Sequence, residues 1–301
     1  MLHSDQVTEL SALRPGESTE DGATRRTALK VALGVGYAAS VMPVMAQTAI
    51  KTSAGGLRTG ESTYDVNGFK VPVYFAAPVG KKNLPVVLVI QEIFGVHEYI
   101  ADTCRRFAKA GYLAIAPELY ARQGDPTQYG EIAKLISEVV SKVPDAQVMR
   151  DLDGAVKWAG ENGGNLKKVA ITGFCWGGRI TWLYAQQSQN VKAGVAWYGR
   201  LSGTPSALSP KNPIDLVADM QAPVLGLYGG QDSGIPLTTV NQMKDALAAA
   251  STNRNAQGSQ FVVYPDAPHA FHADYRPSYR KEPAADGFKR ALDWFKTHGV
   301  A

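Results

Sequence analysis

From Glu61 onward, short β-branched runs alternate with segments of helical periodicity, and this alternation limits the fold more than any other property of the chain. The runs are LPVVLVIQE, YLAIAPE, KVAITGF, KAGVAWYG and PVLGLYGG, with QFVVYP as a sixth candidate. Helices are predicted between them around residues 98–110, 129–142, 145–160, 177–188, 236–250 and 284–298. Strands apolar on both sides and separated by helices imply an α/β fold with a mostly parallel central sheet and helices on both faces. Ahead of them, STYDVNGFKVPVYFAAP reads as two strands joined by the hairpin turn Asn67-Gly68. A chain of 301 residues, 45% hydrophobic, can bury one large core, so residues 60–301 are expected to form one domain. Catalytic groups in such sheets collect at the carboxyl ends of the strands.

Charge and cysteine usage narrow the function classes. The formal net charge is +4, with no Lys/Arg run interleaved with aromatics, so nothing points to nucleic acid. Two cysteines in so long a chain make no disulfide framework. Cys104 recurs with Ile100, Phe107 and Ala108 at helical spacing, which predicts an inert thiol on a buried face.

The segment ATRRTALKVALGVGYAASVMPVMAQ pairs Arg25 with Arg26 ahead of a weakly apolar run that ends on small residues near Ala46. It resembles a twin-arginine export signal over residues 1–46 and implies passage through an export translocon to the periplasm. Gly34, Gly36 and Pro43 interrupt the run, so a permanent membrane span, which needs ~20 apolar residues, is the poorer reading. Residues 47–59 are expected to form a flexible connection.

The motif GFCWGG at 173–178 carries the chemistry. A nucleophile on a sharp turn between strand and helix needs small neighbours two positions away, and Gly173 and Gly177 supply them, giving the nucleophile-elbow pattern with sulfur in place of oxygen. The helix that follows favours a thiolate and offers free N–H groups, Trp176 first, to a developing oxyanion. On spacing alone, a packed structural cysteine is the competing reading of Cys175. Asp232 in LYGGQDSGIP and His269 in VYPDAPHAFH then follow later strands in the order nucleophile, acid, histidine, which is the order of α/β-hydrolases. His272 is the competing general base, read as a pocket-rim or helix-entry residue, and His97 is expected to help start the first helix.

GFCWGG, QEIFGVHEYI, PELYARQG, YGGQD and PHAFH together resemble the dienelactone hydrolase family, the carboxymethylenebutenolidases, from about residue 61 to the C-terminus. The resemblance implies an α/β-hydrolase fold and a Cys175, Asp232, His269 triad. It also implies that Glu92 hydrogen-bonds the resting thiol and that the Ile93 N–H is the second oxyanion donor. Arg122 matches a position that holds substrate carboxylate, and Arg276 is the nearest candidate for a second such arginine. Phe94 and Tyr198 match pocket positions, although core aromatics would read the same.

The expectation is an exported hydrolase of lactones or small carboxyl esters, working through a thioester and needing neither metal nor cofactor. A general esterase, an acyl-peptide hydrolase, and a non-catalytic ligand-binding protein that kept the fold are the alternatives.

Overall fold

A computed structural model describes residues 50–301. The export signal expected over residues 1–46 lies outside the described residues. The chain downstream of it is less free than a linker. The Thr52 N–H and hydroxyl donate to Asp102 at 2.5 and 3.1 Å, and Arg105 donates to the Thr52 carbonyl at 3.1 Å. The first strand then begins at Leu57, inside the stretch expected to be flexible.

Eight strands form one sheet in the order β1-β2-β4-β3-β5-β6-β7-β8. They are β1 Leu57–Val66, β2 Phe69–Pro78, β3 Leu84–Ile90, β4 Leu113–Pro117, β5 Gly164–Phe174, β6 Ala193–Trp197, β7 Val224–Gly229 and β8 Gln260–Tyr264. β2 pairs antiparallel with both β1 and β4, and the other pairings are parallel. The hairpin turns where expected, with Asn67 and Gly68 at φ of 54° and 83°, the left-handed pair that a two-residue turn between twisted strands requires. β4, β6 and β7 are buried at every position, which is why their sequences run apolar without alternating.

The helices are α1 Glu98–Lys109, α2 Ile132–Glu138, α3 Asp145–Glu161, α4 Trp176–Gln187, α5 Leu237–Ala249, α6 Arg254–Gly258 and α7 Lys281–Thr297. α1 and α7 share one face of the sheet, with the rings of Phe107 and Phe288 4.9 Å apart. α3 and α4 are tied to each other through Tyr184, whose hydroxyl donates to Asp153 at 2.8 Å. Cys104 is fully buried on α1, and burial pushes its thiol up. α2 is shorter than its periodicity predicts because the chain breaks at Val139 and resumes as a 3₁₀ turn over Val140–Lys142. No helix among the described residues is long and apolar enough to cross a membrane.

From β3 the chain crosses to β4 on one side, and β5 lies on the other. The carboxyl ends of β3 and β5 therefore border the crevice where an open sheet of this kind binds ligands. Those ends lead into Gln91–His97 and Cys175.

Candidate active site

Cys175 occupies a single residue between β5 and α4, at φ 55° and ψ −114°. A side chain with a Cβ adopts such angles only when its surroundings over-determine them. Three backbone hydrogen bonds do so: the Cys175 N–H donates to the Trp197 carbonyl at 3.0 Å, and the Cys175 carbonyl accepts from Gly178 and Arg179 at 2.9 and 3.2 Å. The small neighbours are needed for space. A Cβ at Gly173 would stand 2.2 Å from the Gly177 carbonyl oxygen, and one at Gly177 would stand 2.5 Å from the carbonyl oxygens of Ile90 and Gln91. The second contact shows how closely the end of β3 approaches the start of α4.

His269 follows β8, and its Nδ1 lies 2.7 Å from Asp232 Oδ2. The other carboxylate oxygen of Asp232 accepts the N–H groups of Gly234 and Ile235 at 3.0 and 3.1 Å, so the acid is fixed by its own turn. Cys175 lies against the same imidazole. Burial would lower the His269 pKa, but the Cys175 sulfur and the Asp232 carboxylate outweigh it and hold the ring well above the ordinary histidine value. Tyr198, at φ 39° just past β6, sets its ring edge-on to His269 at 5.1 Å.

Glu92 is placed differently from its expected contact with the thiol. Its Oε2 accepts the Tyr275 hydroxyl at 2.6 Å and lies 3.7 Å from His97 Nε2. Burial alone would raise the Glu92 carboxyl, but Arg276, His97 and Tyr275 together hold it down at about 2. The carboxylate therefore rests ionised in a cationic and phenolic cage rather than sharing a proton with Cys175. Against its own burial, Tyr275 and Glu92 keep Arg276 charged, and its guanidinium stacks over Phe94 at 4.8 Å and Tyr275 at 4.9 Å. Arg276 Nε is buried with no hydrogen-bond partner among the described residues.

Arg122, expected to hold substrate carboxylate, is engaged by other partners. It pairs with buried Asp151 on α3 and lies 4.3 Å over the ring of Phe69, so its charge is used in packing α3 against the edge of the sheet. His272 is not at a rim. It is fully buried, bonded through Nδ1 to the Tyr99 hydroxyl at 2.6 Å and stacked on Phe174 at 5.0 Å; burial and Arg106 hold its pKa well below the usual value, with Glu92 opposing. A neutral ring so enclosed cannot replace His269. His97 is the N-cap residue of α1 but spends its side chain on Glu92, since no side-chain capping bond forms.

Ile93 sits in the loop after β3, and its N–H donates to no acceptor among the described residues. Trp176 is the first residue of α4, where the N–H has no intrahelical partner. The two candidate donors thus sit at the ends of the two neighbouring strands, Ile93 in the loop after β3 and Trp176 next to Cys175 after β5. Tyr275 and Tyr99 escaped the sequence reading; the only signal for Tyr275 was its place beside Arg276. Among the described residues, no group of His, Cys, Asp and Glu is arranged to hold a metal ion.

Residues 71–299 match the model of the dienelactone hydrolase family. The chain is 58% identical over 279 residues to a protein of Methylorubrum extorquens named "Putative carboxymethylenebutenolidase", covering 92% of this chain and 94% of that one. An Escherichia coli K12 protein of the same name is 51% identical over 265 residues, covering 88% and 96%. Among solved structures, a "Putative Dienelactone Hydrolase" from Klebsiella pneumoniae superposes with a TM-score of 0.77 at 54% identity, covering 80% of this chain and 98% of that chain.

Proposed function

The chain belongs to the dienelactone hydrolase family of carboxylic ester hydrolases, and on that premise we propose that it opens lactones or small carboxyl esters through a thioester on Cys175. The observation that carries the reading is the contact sequence from Cys175, on its strained elbow, to the His269 imidazole and from there to Asp232 at 2.7 Å.

The Cys175 thiolate attacks the substrate carbonyl carbon, and the carbonyl electron pair moves onto oxygen, where the Trp176 and Ile93 N–H groups receive it. As the tetrahedral intermediate collapses, the C–O bond of the leaving group breaks and the imidazolium of His269 gives its proton to the departing oxygen. A thioester and a neutral imidazole remain. Water then loses a proton to His269 while its oxygen attacks the thioester, and Cys175 leaves as thiolate facing imidazolium, the starting state. Asp232 keeps Nδ1 occupied so that Nε2 is the nitrogen that trades protons. No step calls on a cofactor.

Arg276, charged, stacked on Phe94 and with an unpartnered Nε, supports binding of a substrate carboxylate there, and Tyr198 walls the histidine side. Glu92 acts as the counter-charge that this carboxylate would displace. A chromogenic ester assay tests the reading: turnover by wild type and none by Cys175→Ala supports it, and equal rates overturn it. The paired arginines at 25 and 26 support export of the folded enzyme, which cell fractionation with an Arg25→Lys, Arg26→Lys variant tests: loss of the periplasmic pool supports it, and an unchanged distribution overturns it.

A further inference from the structure

The loop from Gln91 to His97 carries Glu92, Ile93 and Phe94, yet it has little structure of its own. The backbone hydrogen bond formed within it runs from the His97 N–H to the Gly95 carbonyl at 3.1 Å. The segment after β4 bonds it near both ends, while Tyr275 holds the Glu92 side chain between them. The Leu119 N–H donates to the Gln91 side chain at 3.3 Å at one end of the loop. At the other end, the Val96 N–H donates to Glu118 Oε2 at 2.8 Å, while Glu118 Oε1 accepts the Tyr120 N–H at 3.4 Å. The loop is thus pinned at both ends, and Ile93 lies between the pins. The same segment reaches the other donor, because the Tyr120 ring packs edge-on against Trp176 at 4.9 Å.

Glu118 is 5% exposed and pairs with no cation among the ion pairs of the described residues, a costly way to use a carboxylate that a neutral side chain could replace if packing were its sole task. Gly95, at φ 77°, lets the carboxylate approach; a Cβ there would stand 2.9 Å from Glu118 Oε2. We propose that Glu118 is a positioning residue for the oxyanion site: by accepting the Val96 N–H it sets the 91–97 loop so that the Ile93 N–H points at the substrate carbonyl. The inference rests on the thioester reading above. Burial raises the Glu118 carboxyl to about 7, against the hydrogen bonds from Val96 and Tyr120 and the Gln91 amide. The titratable groups facing it are Asp125, which adds to the rise, and the phenol of Tyr120, beyond which lie Cys175 and Glu92. A proton on Glu118 turns one acceptor oxygen into a donor and loosens the pin.

The experiment compares two reactions at Cys175. A small aliphatic aldehyde forms a thiohemiacetal whose oxygen needs the oxyanion donors; iodoacetamide alkylates the sulfur without them. Glu118→Gln is expected to weaken aldehyde inhibition roughly tenfold, part of the loss that follows removal of a whole donor, and to leave the alkylation rate unchanged. The gap between variant and wild type should close as pH falls through about 7. Should Glu118→Gln fail to fold, Gly95→Ala displaces the carboxylate from the opposite side and should give the same split. Aldehyde inhibition equal to wild type overturns the proposal, as does a parallel fall in both reactions, which would mark a merely structural role. If wild-type Cys175 alkylates but neither binds aldehyde nor turns over ester, the hydrolase reading itself has failed.

Discussion

Tyr275 donates its hydroxyl to Glu92 at 2.6 Å, and this bond joins the loop that follows the histidine to the loop that follows β3. The glutamate nearest the nucleophile in sequence logic is therefore engaged by the far end of the chain. Its charge balances Arg276 and leaves the thiol to His269.

Tyr275→Phe removes a hydrogen bond to a buried charge and should lower stability by about 2 kcal/mol. The pH dependence has a definite sign. The Glu92 carboxyl titrates at about 2 in the folded protein and higher in the unfolded chain, so its stabilisation is complete above the unfolded value and is lost as pH falls towards 2. The variant should unfold at a higher pH than wild type in an acid titration followed by circular dichroism.

Glu118 behaves in the opposite way. Its folded value of about 7 exceeds the unfolded one, so the unfolded chain releases this proton first and stability falls as pH rises from about 4.5 to 7. The full cost above that window is on the order of 3 kcal/mol. Glu118→Gln should flatten this slope in urea unfolding measured across the same pH range.

The two arginines expected to hold carboxylate should separate cleanly. Arg122→Ala leaves Asp151 buried and unpaired and should destabilise the fold by about 3–5 kcal/mol, with KM unchanged for anionic and neutral esters alike. Arg276→Gln should raise KM for anionic substrates and spare neutral ones. Steady-state kinetics with both classes, alongside thermal unfolding, reads out the contrast.

Asp232→Asn keeps an acceptor for Gly234 and Ile235 but presents a donor or a weaker acceptor to His269. The wrong tautomer of the ring should then reduce kcat roughly 10²–10⁴-fold with little change in thermal stability. A fall in the unfolding temperature large enough to explain the lost rate would refute the orienting role.

The periodicity of the apolar runs was enough to place the sheet, the hairpin at Asn67-Gly68, and five of the six expected helices close to their observed bounds, the exception being α2, because burial on both faces and two-residue turns write themselves into local sequence. The short α6 and the 3₁₀ turn Pro213–Asp219 were missed, being too brief to show a period. The elbow at Cys175 was legible for a related reason: backbone carbonyls crowd Gly173 and Gly177 from within the next few residues and from β3, so only glycine fits.

Local sequence thus determined which residues end each strand, and with that the placing of Cys175, Asp232 and His269 past the carboxyl ends of β5, β7 and β8. Only the tertiary structure decided how the charges pair. Arg122 and Arg276 are alike in type and both follow strands, but one meets Asp151 on α3 and the other meets Glu92 and Phe94. Ion pairs form between groups distant in the chain and are chosen by which side chains burial forces together, so no local pattern records them.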